Sequence, residues 1–176
     1  MKAIEKLKEA AKLFESSGIE AAEKEAEMLV RHSFGLNTVE IYRDNPEPSE
    51  EQIKTLESML SRRLKHEPIQ YILGHEEFLG MKILVKHGVL IPRTETELMA
   101  EQAIKIIRAQ TADIRHQNLR PRHFPLPTSR FSLLDLCTGS GCLALALARE
   151  FPDFKVYGTD ISEIAIKYAE ENARLN

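Results

Sequence analysis

Leu133-Leu134-Asp135-Leu136-Cys137-Thr138-Gly139-Ser140-Gly141-Cys142 leads into an apolar run ending at Ala148, and Lys155-Val156-Tyr157-Gly158-Thr159-Asp160 follows. The order predicts an apolar strand, a glycine turn, a helix, and a second strand that ends in an acid. Small residues at such a turn let backbone N–H groups come close to a ligand, and an acid at the next strand end accepts hydrogen bonds from ribose hydroxyls. Gly139 and Gly141 supply the turn, and Asp160 supplies the acceptor. The glycines alone do not choose the ligand, because Gly139-x-Gly141-x-x-Ala144 with Asp160 behind it also satisfies a dinucleotide fingerprint. Asp135 separates the two readings. A carboxylate just before the turn repels a pyrophosphate but can receive the ammonium end of S-adenosyl-L-methionine, directly or through water. The motif also lies far from the start of the chain, whereas a dinucleotide motif usually opens its domain. S-adenosyl-L-methionine is therefore the expected cofactor.

Composition restricts the setting without naming a function. The chain has 176 residues, a formal net charge of −3 and 43% hydrophobic residues, enough for one compact domain or two small ones. The opening Met1-Lys2-Ala3-Ile4-Glu5-Lys6-Leu7-Lys8-Glu9 is too charged for a signal peptide, and no apolar run reaches membrane-spanning length. A soluble, cytoplasmic protein with no membrane partner is expected. Cys137 and Cys142 lack the paired spacing of a zinc site, and the six histidines are scattered, so no metal is assigned.

The first 66 residues read as a helical bundle. Ile4, Leu7, Ala11 and Phe14 recur at helical spacing, with Gly18 placed to stop that helix; Ala22, Ala26, Leu29 and Val30 form a second stripe closed near Gly35. Thr38 is read as the cap of a short third helix ending before Pro46. Ser49-Glu50-Glu51-Gln52 has capping-box spacing ahead of the stripe Ile53, Leu56 and Leu60. Such stripes are ordinarily core, so the bundle by itself suggests only a docking or structural module.

At Glu67-Pro68 the pattern changes, since proline disfavours helix in its predecessor and a hinge is expected. Residues 67–88 read as a linker and β-hairpin, with Phe78 on one strand, Ile83 to Val85 on the other, and Leu79-Gly80-Met81 between them. Thr94 and Glu97 then have capping-box spacing, which places a helix start at Glu95. Residues 109–130 carry Arg115, His116, Arg120, Arg122, His123 and Arg130 with Pro121, Pro125 and Pro127, and read as a long basic loop, more simply a solvated insertion than an RNA contact.

Three segments agree in order and spacing with one known family. Pro68-Ile-Gln-Tyr-Ile-Leu-Gly74, Val89-Leu-Ile-Pro92-Arg93-Thr94-Glu95-Thr96-Glu97 and Asp135-Leu-Cys-Thr-Gly-Ser-Gly-Cys142 together resemble the HemK/PrmC family of protein-glutamine N5-methyltransferases. The resemblance covers nearly the whole chain. The glycine motif is shared with many methyltransferases, and the Pro-Arg-x-Glu-Thr-Glu segment discriminates; Thr94 stands where the family often has proline, and suits a helix cap.

The resemblance implies an α/β architecture: a helical substrate-docking domain (1–66), the linker and hairpin (67–88), and the first part of a Rossmann-like methyltransferase domain (89–176). It implies as substrate the glutamine of the Gly-Gly-Gln motif of peptide-chain release factors. A ribosomal protein is the substrate of a related branch; any contact with the ribosome would be indirect, and no direct nucleic-acid partner is expected. Position by position it implies that Cys137, Thr138, Gly139, Ser140 and Gly141 lie against the methionine part of the cofactor, with Cys137 replacing a glycine found in many relatives. Asp160 would take the ribose hydroxyls, and Asp135 would serve the ammonium group or satisfy the loop. Arg93 and Glu97 would close the site or pair with each other.

The family's Asn-Pro-Pro-Tyr loop does not occur in these 176 residues, so no catalytic residue is assigned. Only two strands of the usual sheet can be placed, Phe131 to Leu136 and Lys155 to Thr159, with a helix from about Glu163 to Leu175 behind Ser162. The expectation is that this chain alone binds cofactor weakly and is catalytically incomplete. Two rivals are a nucleic-acid adenine methyltransferase, against which the Pro92 to Glu97 segment and the helical front domain argue, and a non-catalytic release-factor or ribosome binding module.

Overall fold

A computed structural model of the chain describes residues 2–116 and 131–176 and divides into two compact units, Met1–Leu73 and Gly74–Asn176. Among the described residues no helix is long and apolar enough to cross a membrane.

The first unit is all helical: α1 (Ala3–Ser16), α2 (Ala22–Phe34), α3 (Thr38–Arg43), α4 (Glu50–Leu64) and α5 (Ile69–Leu73). Its core joins Leu7, Ala10 and Phe14 of α1 to Ala26, Leu29 and Val30 of α2, with Ile41 of α3 and Leu56 of α4. The stripe on α1 is rotated slightly from the expected one, because Ala3 and Ala10 are buried while Ile4 packs at the edge. On α4 the buried pair is Leu56 and Met59.

Local capping chemistry sets the helix ends. Gly35 takes the left-handed conformation after α2 (φ +67°) and donates its N–H to the Arg31 carbonyl. Ser49 and Gln52 form the expected reciprocal box on α4, with Ser49 N donating to Gln52 Oε1 (2.8 Å) and Gln52 N to Ser49 Oγ (3.2 Å). On α3 the cap is one residue earlier than expected. Asn37 Oδ1 accepts from Glu40 N (2.9 Å) and Glu40 returns a carboxylate to Asn37 N (2.7 Å), while Thr38 donates its hydroxyl to Glu27 on α2 (2.6 Å). Asn37 and Thr38 are both good caps, and the acid three residues on decides between them by completing a box only with Asn37.

Helix α4 gives way near Glu67-Pro68, and the Pro68 carbonyl opens α5 by accepting from Tyr71 N (3.0 Å). Arg62 holds this corner through the Glu67 carboxylate (2.5 and 2.8 Å) and the Tyr71 carbonyl (3.2 Å).

The second unit opens with a hairpin of β1 (His75–Phe78) and β2 (Met81–Leu84), antiparallel with Phe78 opposite Met81. Leu79 and Gly80 make the two-residue turn and both have positive φ (+47° and +73°), which is the geometry that matches strand twist. Leucine is costly in that region. Two neighbours hold it: Leu79 N donates to Glu97 Oε1 (2.7 Å), and Arg149 donates to the Leu79 carbonyl (2.6 Å).

Beyond the hairpin come α6 (Thr94–His116), β3 (Ser132–Leu136), α7 (Cys142–Glu150), β4 (Lys155–Thr159) and α8 (Glu163–Leu175). Strands β3 and β4 are parallel, with Leu134 opposite Tyr157 and Asp135 opposite Gly158, and α7 makes the crossover. The expected α/β architecture is therefore present.

Helix α6 begins at Thr94, one residue before the expected start. It also corrects the reading of 109–130 as loop from its first residue, because the helix runs through His116. Residues 109–116 contain neither glycine nor proline, so nothing in the chain stops the helix there. The remainder of that segment, 117–130, lies outside the described residues.

Candidate functional site

The carboxyl ends of β3 and β4 meet at the glycine turn. Thr138 continues the strand pairing by donating its N–H to the Thr159 carbonyl (2.9 Å), and its buried hydroxyl donates to Asp135 Oδ2 (2.7 Å). The chain then folds back, with Gly141 N donating to the Thr138 carbonyl (2.8 Å) before α7 starts at Cys142. Cys137, Gly139 and Gly141 all have left-handed φ (+60°, +56° and +82°). That conformation strains any side chain, so Cys137 carries a backbone cost that the two glycines avoid.

Asp160 is fixed by backbone donors from both sides. Gly139 N donates to Oδ2 and Ser162 N to Oδ1, each at 2.9 Å. The Ser162 and Gly139 amides hold its carboxyl below the ordinary carboxylate range. A carboxylate with a depressed pKa contributes its tie above the unfolded pKa and loses it as pH falls through the folded one. Each oxygen keeps lone-pair capacity for a further donor. Helix α8 starts behind this acid with Ser162 as its cap, Oγ accepting from Ala165 N (3.3 Å).

Two hydrogen bonds made by adjoining residues thus tie the turn to both strand ends, Thr138 to Asp135 and Gly139 to Asp160. Ser140 is buried at the same turn. The Cys137 thiol is exposed and the Cys142 thiol is buried, with burial raising the pKa of Cys142. Arg93 and Glu97 are not brought together as an ion pair. Glu97 is occupied by the hairpin turn through Leu79 N, and Arg93 is exposed just ahead of α6, where its carbonyl accepts from Thr96 N (2.9 Å).

Two residues of this region escaped the sequence reading. Gly158 sits inside β4, where a Cβ would lie 2.8 Å from Thr138 Oγ1 and 3.1 Å from Thr138 Cβ, so the buried threonine needs glycine opposite it. A glycine within a strand was the available signal. Asn172 on α8 is fully buried. Its side chain accepts from Leu84 N (2.7 Å) and donates to the carbonyls of Leu84 (3.1 Å) and Ser140 (2.9 Å). Its signal was a polar residue two helical turns after Ala165, on the stripe that faces the core.

The first unit carries a groove of about 540 Å³ lined by the apolar Ile4, Leu7, Ala11 and Met28 and by Lys8, Glu23, Lys24, Glu27, Arg31 and Tyr42.

Comparison with known proteins divides the sequence in a similar way. Residues 5–74 match a family described as PrmC N-terminal domain, and residues 127–176 match one described as methyltransferase domain. The chain is 40% identical over all of its 176 residues to a release factor glutamine methyltransferase of Thermodesulfovibrio yellowstonii, covering 56% of that relative. It is 36% identical over 157 residues to the protein of the same name from Geobacter sulfurreducens, an alignment that takes in 89% of this chain and 48% of the relative. A bifunctional methyltransferase of Rickettsia prowazekii is 39% identical over 129 residues, 73% of this chain and 25% of that protein. The chain spans about half the length of the release factor enzymes it matches. With a PrmC N-terminal domain followed by the turn-bearing part of a methyltransferase domain, the chain is similar along its full length to release factor glutamine methyltransferases.

Proposed function

We propose that Asp135, Cys137 to Gly141 and Asp160 hold S-adenosyl-L-methionine, and that the chain is the cofactor-bearing part of an enzyme that methylates N5 of the glutamine in the Gly-Gly-Gln motif of release factors. The observation that carries this reading is the Asp160 carboxylate bound to Gly139 N at 2.9 Å, which sets a ribose acceptor beside a glycine turn. The donor set suits the cofactor. A side chain at Gly139 would meet nothing within 4 Å, so the turn is open there, and both Asp160 oxygens retain acceptor capacity. The Asp135 carboxylate, held by the Thr138 hydroxyl, favours an ammonium group over a pyrophosphate.

When bound, the cofactor supplies an electrophilic methyl group. The residues of this chain supply position: a ribose anchored by Asp160 and a methionine moiety lying along the turn fix the direction from which a weakly nucleophilic amide can approach. Release factor as partner rests on the names of the relatives, with the helical unit as the docking part and its partly charged groove as the surface for it. Arg93, exposed ahead of α6, is the residue we assign to closing the site.

Titration of S-adenosylmethionine and, separately, of NAD against the 176-residue chain tests the cofactor. Saturable binding of the first and none of the second is expected, with Asp160→Ala weakening it about tenfold through loss of charge-assisted bonds. Equal affinity of the variant and the parent chain would remove Asp160 from the site. In a methylation assay with purified release factor no turnover by residues 1–176 alone is expected, and turnover would show that these residues suffice for the reaction.

A further inference from the structure

We propose that Asn172 is a positioning residue through which the β1–β2 hairpin sets the conformation of the glycine turn. The proposal rests on the reading of that turn as the cofactor site. Its basis is one fully buried amide shared by three elements. Asn172 belongs to α8, exchanges two hydrogen bonds with Leu84 of β2, and spends its remaining N–H on the Ser140 carbonyl. The Leu84 pair fixes which way the amide faces, since Leu84 N requires the oxygen and Leu84 O requires the nitrogen. The second N–H is thereby aimed at Ser140. That carbonyl belongs to the Ser140–Gly141 peptide, the one that carries the turn into α7.

The N–H of this peptide, on Gly141, donates to the Thr138 carbonyl (2.8 Å), and its carbonyl is held from α8. Gly141 packs against α8 so closely that a Cβ would lie 3.1 Å from Ala169 Cβ. The Ser140 carbonyl is oriented by a donor from that same helix. The hairpin is in turn held at its tip by Glu97 and Arg149. A displacement of β2 is therefore passed directly to the Ser140 carbonyl by the Asn172 side chain.

The substitution Asn172→Asp keeps the size and the acceptor for Leu84 N but removes both donors, leaving a carboxylate against two carbonyls. Asn176→Ala is the matched control, because Asn176 Nδ2 donates to the Lys82 carbonyl of the same strand (3.0 Å). The full chain and both variants are titrated with S-adenosylmethionine at a temperature where each is folded, and ¹⁵N spectra are recorded without ligand. Asn172→Asp should weaken binding about tenfold and move the Gly141 amide resonance, while Asn176→Ala does neither. A folded Asn172→Asp with unchanged affinity and an unmoved Gly141 resonance would overturn the proposal.

Should Asn172→Asp not fold, hydrogen exchange in the parent chain decides. Protection of the Leu84 amide should rise with that of Gly139 and Gly141 on adding S-adenosylhomocysteine, and a Leu84 amide indifferent to the ligand would overturn the proposal. If the parent chain bound no S-adenosylmethionine at all, the cofactor reading would fail on its own. The link between hairpin and turn would then stand or fall on the Gly141 resonance of Asn172→Asp.

Discussion

In the first unit Phe14, Leu29, Val30, Ile41 and Leu56 are all almost fully buried, whereas in the second the parallel strands leave Leu134 60%, Leu136 69% and Tyr157 52% exposed. The hairpin side of that same second unit is as dry as the bundle, with Phe78, Ile83, Val85 and Val89 nearly inaccessible. The contrast follows from the elements used. Amphipathic helices close on one another by matching single stripes. A parallel sheet is apolar on both faces and needs cover on both. Leu134 and Tyr157 are register partners, so their exposure marks one continuous uncovered face of the pair.

This difference can be broken or sharpened by substitution. The largest effect is expected in the bundle, where Leu29→Ala leaves a cavity among α1, α2 and α4 and should cost about 2–5 kcal/mol in urea unfolding. A loss below about 1 kcal/mol would mean that the bundle core is looser than described. Next comes Gly158→Ala, where a new methyl group meets a β-branched side chain already held by Asp135. A cost of about 1–3 kcal/mol is expected, together with weaker cofactor binding, since Thr138 cannot swing aside without breaking its bond. The smallest effect belongs to Leu136→Ser on the open face, within about 0.5 kcal/mol by the same unfolding measurement. A large loss there would show that this face is covered in solution.

What could be read from the sequence was whatever is decided within a few residues. The Ser49 and Ser162 caps and the Gly35 stop are determined by neighbours in the chain and stand where the residues placed them, whereas the hairpin turn is Leu79-Gly80 alone, since Met81 already pairs with Phe78 in β2. Asn37 and Thr38 show where local reading loses resolution, because two competent caps adjoin and only the position of Glu40 separates them. The long helix α6 was cut short for a related reason. Proline downstream of Gln110 argued for loop, but Pro121 acts only near itself and leaves the turns before His116 intact.

The candidate site was legible in its outline and hidden in its support. Gly139, Gly141 and Asp160 declare themselves through a motif with fixed spacing. Gly158 has its meaning only from Thr138 in the opposite strand, and Asn172 from a strand and a turn that no periodicity connects to it. Glu97 shows the reverse: a residue prominent in sequence whose carboxylate holds the tip of a hairpin.

The bond between Leu84 and Asn172 joins residues 88 positions apart. Contacts of such span form late, because the entropy of closing the intervening chain must be met before they return anything. During synthesis the five-helix unit, which ends at Leu73, can fold while the second unit is still incomplete. The Ser140 carbonyl of the glycine turn gains its donor only after Asn172 has emerged. Competence to hold a ligand thus waits for α8, well after the five-helix unit has left the ribosome.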